Sequence, residues 1–422
     1  MAPEARVDAS APPHPEPMKG ALRSDRILSG AGDRPGGEGP PPLPDPAADH
    51  RDPALTRRRE DVEEKHRRVI AYLDETGNDA VVLGRSDSVA WFTAGGELGQ
   101  DLGSDVGAVL LYINRDSRAI VTDNVQSARV FEEEVAGLGF QLKERSWFDE
   151  PGKIITELGH KRRFVSDLGP CPCPWTRGLE PLRALRWPMT VLERRRLREL
   201  GRTVTLAVEA TCRNFVRGES EADVAGHLAH RLLREAVVPV DLRVSADDRP
   251  ARYRRPTFKA APIQRRATIT VTGRRHGLCA SVTRTVSFGP IDEELRARLG
   301  VAAMVDATCI YFSRPGERVA GIFRRARRTF EKCGYPHEWT LDYLGFIVGY
   351  TPREALLRPD SPLVLTNGMA VHWCPSVGPV RSGDTLIAEA RGFELITASR
   401  DWPQLDVAVK GFVIPRPGIL ER

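Results

Sequence analysis

The chain has 422 residues, with 62 basic and 57 acidic side chains, a formal net charge of +5 and 41% hydrophobic residues. This length and composition predict a globular protein of two domains and exclude a fully disordered chain. Only eight of the basic residues are lysine, and the arginine cluster Arg57-Arg58-Arg59 runs directly into acidic residues. Because the sequence has no dense basic tract, we expect no nucleic-acid partner.

Seven cysteines are spread along the chain, and the first residues lack the apolar core of a secretory leader. This pattern predicts reduced thiols in a cytoplasmic protein. Since no apolar run approaches the roughly 18 residues of a membrane span, we also expect no membrane partner.

Composition divides the chain into four segments. Residues 1–55 are rich in proline, glycine and alanine and predict a disordered tail. Residues 56–167 combine helical and β-rich patterns and predict a small α/β domain, with its first helix beginning near Arg57. The proline-rich residues 168–188 predict a linker to a second domain at 189–422.

The second domain begins with two predicted helices. Thr190 with Glu193, and Ser220 with Asp223, each match the capping-box pattern at a helix start. Strands, a pair of helices and further strands follow, which predicts an α+β fold and not the regular alternation of a doubly wound sheet. The sequence contains no phosphate-binding glycine loop and no dinucleotide-binding fingerprint.

Several segments, in their order and spacing, resemble the creatinase, aminopeptidase P and methionine aminopeptidase family. They are Asp87 to Gly96 in the first domain, and Gly277 to Thr285, Glu338 to Asp342 and Pro375 to Thr385 in the second. The resemblance implies a C-terminal pita-bread domain preceded by a smaller creatinase-type domain. It also implies a homodimer, as in many members of the family.

The family's usual chemistry needs two divalent ions held by two Asp, one His and two Glu. At the matching positions this sequence has Thr270 and Ser281 for the aspartates, Asp342 or Tyr343 for the histidine, Cys374 for the first glutamate and Glu389 for the second. Arg255 stands where creatinase-like members carry a substrate-binding histidine. We therefore predict that no metal and no other cofactor is used, and that neither the peptidase nor the creatinase mechanism is intact.

The resemblance implies a cavity with several arginines around the former metal position. Guanidinium groups bind carboxylates or phosphates bidentately, so the substrate-binding candidates are Ser281, Arg255, Arg274, Arg275 and Arg284. His276 is the preferred general acid or base, because the pKa of imidazole is near neutral. The other catalytic candidates are Asp342, Tyr343, His372, Cys374 and Glu389. Cys374 is a candidate nucleophile, with His372 on the same face of its strand.

These features favour a metal-independent enzyme: a lyase, a cyclase, or a hydrolase of an amide or other C–N bond. Its substrate is expected to be a small anionic or amide-containing molecule, and its arginine-rich composition fits specialised metabolism, including antibiotic biosynthesis. The first alternative is a non-catalytic pseudo-peptidase that binds a peptide or partner protein in the same cleft. The second is a residual Xaa-Pro aminopeptidase-type hydrolase. Arginine and histidine in the cavity would favour the enzyme, and a bare apolar cleft would favour the binding protein.

Overall fold

A computed structural model describes residues 52–98, 102–149, 153, 157–158, 160–168 and 181–422. Asp49 to Arg422 form one compact unit. The predicted tail and linker lie mostly outside the described residues, so the four segment boundaries stay predictions. The first helix, α1 (Pro53–Thr76), begins four residues before the predicted start, because Asp52 caps it by accepting a hydrogen bond from the Ala54 N–H at 2.7 Å.

The first domain contains a mixed five-stranded sheet with strand order β4-β3-β2-β1-β5. Its strands are β1 (Ala80–Arg85), β2 (Val106–Asn114), β3 (Arg118–Asp123), β4 (Gln141–Arg145) and β5 (Phe164–Ser166). The three central strands pair antiparallel, and the two outer strands pair parallel to their neighbours. Helices of this domain include α1, α2 (Ser86–Phe92) and α3 (Ser127–Arg129), the last continuing as a π-helical turn over Val130–Glu134.

The second domain begins with two helices that pack on a four-stranded sheet. The short helix α4 (Pro181–Ala184) precedes the two long ones, α5 (Val191–Asn214) and α6 (Glu221–Arg234). Both predicted capping boxes are present, at Thr190 with Glu193 and at Ser220 with Asp223, which confirms these helix starts. The sheet has the order β18-β8-β7-β6 and is formed by β6 (Val238–Ala246), β7 (Arg266–Arg275), β8 (Leu278–Ser287) and β18 (Ile419–Glu421).

A second sheet of this domain has the strand order β10-β9-β11-β14-β15. Its strands are β9 (Gly345–Val348), β10 (Ala355–Leu356), β11 (Ala370–Trp373), β14 (Asp384–Glu389) and β15 (Gly392–Leu395). Three further helices are α7 (Arg249–Arg252), α8 (Glu293–Tyr311) and α9 (Val319–Lys332). Two hairpins are formed by β12 (Ser376–Val377) with β13 (Val380–Arg381), and by β16 (Gln404–Val409) with β17 (Phe412–Pro417). The predicted α+β fold is confirmed, with a smaller domain in front of the larger one.

The two sheets of the larger domain meet where β8 crosses β14. The Ser281 N–H donates to Thr385 Oγ1 at 3.1 Å, and the Thr385 hydroxyl donates to the Ser281 carbonyl oxygen at 2.8 Å. Every residue of β8 is buried, so side chains on both of its faces are withdrawn from water. This crossing places the end of β11 and the start of β14 over the middle of β7 and β8.

A buried ion pair joins α1 of the first domain to the second domain. Lys65 is fully buried, and its ammonium group lies 2.8 Å from Glu193 Oε1 and donates to the Trp91 carbonyl oxygen at 2.7 Å. The Tyr350 hydroxyl donates to the same glutamate at 2.7 Å. Asp61 and Glu193 together neutralise this buried ammonium group, and because Glu193 belongs to the second domain, its loss would remove a buried charge partner from the first. This contact therefore fixes the first domain against the second. Among the described helices, none combines the length and apolar character needed to cross a membrane.

Candidate functional site

A narrow cavity lies between β6–β8 on one side and β9 and β11 on the other. Its free volume is about 10 Å³, which is space for about one water molecule. It is lined by four hydroxyl residues, four arginines and five other residues, namely Thr270, Thr272, Ser281, Thr283, Arg243, Arg255, Arg353, Arg381, Asp241, Phe346, Pro352, His372 and Cys374.

Paired hydroxyl groups form one wall of this cavity. The antiparallel register of β7 and β8 sets Thr268 opposite Thr285, Thr270 opposite Thr283 and Thr272 opposite Ser281. The oxygen–oxygen distances within the three pairs are 3.1, 2.9 and 2.6 Å. Each pair has two protons and uses one between its oxygens, so the other can be donated to a ligand. Thr270 and Ser281, the positions matched to the family's two aspartates, belong to this neutral wall.

Asp342 holds two of the arginines in place. Arg255 Nε donates to Asp342 Oδ1 at 2.6 Å, and Arg381 pairs with Asp342 Oδ2. The Arg255 guanidinium also stacks on Tyr343, 5.0 Å from the ring centre. Burial alone would raise the pKa of Asp342, but Arg381 and Arg255 bring it below its usual value. Asp342 therefore stays ionised and orients the arginines, which does not fit the predicted role of a base.

A second carboxylate holds the other two arginines. Arg243 donates to both oxygens of Asp241 at 3.1 Å, and Arg353 Nη2 lies 3.2 Å from Asp241 Oδ2. Four guanidinium groups thus share two carboxylates. The resulting excess of positive charge favours an anionic ligand.

Cys374 follows β11 and is buried beside Arg255. Its sulfur lies 3.5 Å from Arg255 Nη2 and 3.5 Å from the Tyr343 carbonyl oxygen. Burial alone would raise the pKa of the thiol, but Arg255, a hydrogen bond and charge from His372, and Arg381 lower that pKa to about 6. The group is therefore a thiolate at neutral pH, which is the nucleophilic form of cysteine.

The hydrogen bonds of Thr385 define the tautomer of His372. Thr385 Oγ1 lies 3.4 Å from His372 Nδ1 and gives its only proton to the Ser281 carbonyl oxygen at the shorter distance of 2.8 Å. His372 Nδ1 must then carry the proton and donate it to Thr385, which leaves a lone pair on Nε2. His372 and Cys374 are two residues apart and share one face, so this imidazole can exchange a proton with the thiol.

The donor set of the cavity does not fit a pair of divalent cations. Hard ions need several free carboxylates, and both carboxylates here are engaged by arginines. The remaining donors are hydroxyls, one imidazole and one thiol. Within the described part of the chain, no group of three or more His, Cys, Asp or Glu side chains is arranged to hold a metal.

His276 lies outside this cavity, contrary to its predicted role. His276 lies in the β7–β8 turn with a left-handed φ of 51°. It packs against Gly95 of the first domain, where a Cβ added to the glycine would lie 2.8 Å from the Cβ of His276. Burial, followed by Arg196, Arg275 and Arg58, lowers the pKa of its imidazole to about 4. It is therefore neutral at pH 7 and remote from the hydroxyl wall.

Arg284 is also misplaced in the sequence-based prediction. It is three residues after Ser281 on β8 and so faces the opposite side of the strand. There it is 2% exposed, with Nε 3.0 Å from Glu209 Oε1 and Nη1 3.1 Å from Asp384 Oδ1. Its guanidinium neutralises buried carboxylates on the face of β8 opposite the hydroxyl wall.

Glu389 does not supply a carboxylate to the cavity. It ends β14 and forms ion pairs with Arg194 at 3.2 Å and Arg198 at 3.0 Å. The residue before β14, Gly383, instead lies beside the cavity residue His372, since a Cβ on Gly383 would lie 3.4 Å from His372 Cε1.

The other predicted residues divide between the cavity and its surroundings. Arg255, Ser281, His372 and Cys374 come together in it, and Tyr343 borders it with its carbonyl group and ring. Arg275 instead donates to the Glu235 carbonyl oxygen at 3.3 Å, away from the cavity. Arg274 lines a separate cavity of about 100 Å³ between the two domains.

Several lining residues were missed in the sequence. The alternation of hydroxyl residues along β7 and β8 was visible as Thr268, Thr270 and Thr272 followed by Ser281 and Thr283, and it indicates one polar face. Asp241 and Arg243 alternate in the same way on β6. The last group has no local signal, because its members come from distant segments: Phe346, Arg353 and Arg381.

Comparison with known proteins agrees with this architecture. The model of metallopeptidase family M24 matches residues 195–392. Among solved structures, the Xaa-Pro dipeptidase from Bacillus anthracis is similar with a TM-score of 0.66 and 18% identity, covering 80% of this chain and 98% of that one. Dipeptidase PepE from Mycobacterium ulcerans has a TM-score of 0.67 and 17% identity, covering 81% and 96%.

A third similar structure is the N-terminal domain of FACT complex subunit SPT16 from chickpea, Cicer arietinum. It has a TM-score of 0.60 and 12% identity, covering 80% of this chain and 97% of that one. No curated protein sequence matches the chain. At these identities the structural likeness concerns the fold alone, and it agrees with the family match and with the resemblance found in the sequence. Residues 195–392 therefore match the metallopeptidase family M24 model, and the chain shares its fold with these dipeptidase structures.

Proposed function

We propose that this protein is a metal-independent enzyme that acts on a small anionic or amide-containing molecule, with Cys374 as its nucleophile. The observation that carries the proposal is the position of the Cys374 sulfur, 3.5 Å from Arg255 Nη2 and beside His372. Reactive cysteines in enzymes occupy such electropositive surroundings, with a base within reach. A cytoplasmic location, a homodimer and a role in specialised metabolism remain predictions.

For an amide substrate the chemistry is acyl transfer. His372 Nε2 holds the proton that Cys374 has given up, and the thiolate attacks the carbonyl carbon, forming a C–S bond while an electron pair moves to the carbonyl oxygen. Arg255 stabilises that oxyanion, since a guanidinium aimed at developing charge lowers the barrier. When the oxyanion collapses, the C–N bond breaks and the amine leaves with the proton held by His372.

The second half of the reaction releases the acyl group. Water, with its proton taken by His372, attacks the thioester, and the C–S bond breaks to restore Cys374. The products are a carboxylic acid and an amine, so water is the sole co-reactant. An amine of the same substrate in place of water would give a cyclic amide instead, which is the cyclase form of the same mechanism.

A second candidate function is non-catalytic binding of an anionic ligand in the same cleft. Two observations favour it. The free volume of the cavity is only about 10 Å³, and every arginine that lines the cavity already contacts a carboxylate. A substrate must displace these side chains before its carbonyl carbon reaches the sulfur.

Alkylation with iodoacetamide, located by mass spectrometry, tests the proposed nucleophile. Cys279 and Cys309 are matched controls, because both are buried like Cys374 but burial raises the pKa of their thiols, to about 12 for Cys279. We expect Cys374 to be alkylated first at about pH 7. Equal protection of all three cysteines in the folded protein would overturn the proposal.

Turnover is measured with N-(4-nitrophenyl)succinamic acid, an anilide that carries a carboxylate. We expect release of nitroaniline and an acyl group on Cys374 detectable by mass spectrometry, both lost in Cys374→Ser. Binding of this compound with no acyl-enzyme and no release would instead support the non-catalytic function.

A further inference from the structure

A second cavity adjoins the one that contains Cys374. The two share four lining residues, Arg243, Arg255, Thr270 and Arg381. Beyond these, the second cavity is lined by the polar residues Ser245, Arg254, Thr268 and Ser376 and by a largely apolar rim of Pro250, Pro256, Gly378, Pro379 and Val380. Its free volume is about 30 Å³, which is space for about two water molecules or one small polar group.

Ser245 has an unsatisfied hydroxyl in this second cavity. Its side chain is 5% exposed, and its oxygen is buried with no hydrogen-bond partner among the described residues. The register of β6 and β7 sets Ser245 opposite Thr268 and Arg243 opposite Thr270, so Ser245 lies on the face that carries the hydroxyl wall. Buried polar groups in native proteins are nearly always paired, and an exception of this kind indicates a missing ligand or water.

The charge of the second cavity is positive. Four arginines line it, and its described lining includes no acidic side chain. The counterions of these arginines lie behind them: Arg254 Nη1 is 2.9 Å from Glu338 Oε2, and Arg255 and Arg381 are paired with Asp342. Guanidinium groups fixed in this way are oriented before a ligand arrives, which favours binding of an oxyanion.

We propose that this second cavity binds an anionic group, a carboxylate or a phosphate, of the same molecule whose carbonyl carbon reaches Cys374. Ser245 donates a hydrogen bond to the anion, with Arg254 and Arg255 as its charged partners. Because the two cavities share four lining residues, the anion and the reactive carbonyl belong to one small molecule and are separated by a short chain. The part of this proposal that concerns the reactive carbonyl rests on the proposed function. The anion site rests on the residues of the second cavity alone.

Binding of succinate and of inorganic phosphate to the full chain, measured by calorimetry and by the shift in Tm, tests the anion site. We expect one of the two anions to bind and neutral succinamide not to bind. The preferred anion identifies the group as a carboxylate or a phosphate. Absence of binding by both anions would overturn the proposal.

The variant Ser245→Ala provides the decisive comparison. Since the Ser245 hydroxyl has no partner in the free protein, its removal should leave the Tm of the free protein unchanged or higher while weakening anion binding about tenfold. The matched control is Ser88→Ala, because the Ser88 hydroxyl is buried but accepts a hydrogen bond from Arg186 at 3.1 Å. This control should lower Tm without changing anion binding. Unchanged affinity in Ser245→Ala would contradict the assigned site.

The outcome separates this inference from the proposed function. Anion binding that depends on Ser245 and persists in Cys374→Ser supports the second cavity, even if Cys374 proves unreactive. A reactive Cys374 together with anion binding that Ser245→Ala does not weaken would overturn the second cavity and leave the nucleophile in place.

Discussion

The substitution Arg255→Met tests the electrostatic basis of the site. The pKa of the Cys374 thiol lies at about 6 against an ordinary value of 9.0. This displacement corresponds to about 4 kcal/mol at about 1.4 kcal/mol per pH unit. Arg255 makes the largest favourable contribution to it, and burial opposes it. Methionine keeps most of the volume but removes the cation, so we expect the pKa of Cys374 to rise to about 9 or above.

The ultraviolet absorbance of the thiolate, followed against pH, measures this pKa directly. The sign follows from the ionisation: a pKa of about 6 gives a thiolate that is present at neutral pH and disappears as the pH falls through that value. At about pH 7 the thiolate fraction should fall from about 90% in the unmodified protein to about 1% in Arg255→Met. Alkylation rates would understate the change, because a thiolate of higher pKa is also more nucleophilic.

Two further variants make this measurement specific. The absorbance titration of Cys374→Ser is subtracted from that of the unmodified protein, which removes the signal of the other cysteines and of the tyrosines. Arg265→Met is the matched arginine control, because Arg265 is 62% exposed and pairs only with surface groups such as Asp248. We expect Arg265→Met to leave the pKa of Cys374 unchanged. A pKa that stays near 6 in Arg255→Met would refute the electrostatic argument.

Four other outcomes follow from the structure. Arg284→Met should lower the free energy of unfolding by about 3–5 kcal/mol in urea, because it removes one of the two arginine partners of each of the buried carboxylates Glu209 and Asp384. It should not change the pKa of Cys374, and unchanged stability would contradict this reasoning. Glu389→Gln should lower the free energy of unfolding by less than about 1 kcal/mol and leave turnover intact. Loss of turnover would show that Glu389 takes part in the reaction. Thr385→Val should remove the proton from His372 Nδ1 in nitrogen NMR spectra, and Thr385→Ser should retain it; identical spectra would refute the assigned tautomer. Added Mn²⁺ should not raise Tm, since no free carboxylates converge among the residues that the structure describes; a clear rise would overturn the metal-independent mechanism.

Local sequence determined much of the secondary structure. The capping boxes at Thr190 and Ser220 act within four residues, so the helix starts could be predicted without knowledge of the rest of the fold. The family resemblance also predicts, from the sequence alone, that Thr270 and Ser281 stand at the positions of two metal-binding aspartates. One error was avoidable: Ser281 and Arg284 are three residues apart on one strand, and the alternation of side chains already excluded a shared face.

The charge of the cavity was decided by the tertiary structure alone. Arg243, Arg353 and Arg381 come from three segments that are far apart in the chain, and each enters the cavity because a carboxylate holds it there. His276, although adjacent to two arginines in sequence, is turned away by the left-handed β7–β8 turn. The sequence by itself predicted the α+β fold, which the structure confirms, and through the family resemblance it also predicts the loss of the metal ligands. Which charged groups meet at Cys374 depends on long-range packing, because electrostatic contacts act through space and not along the chain.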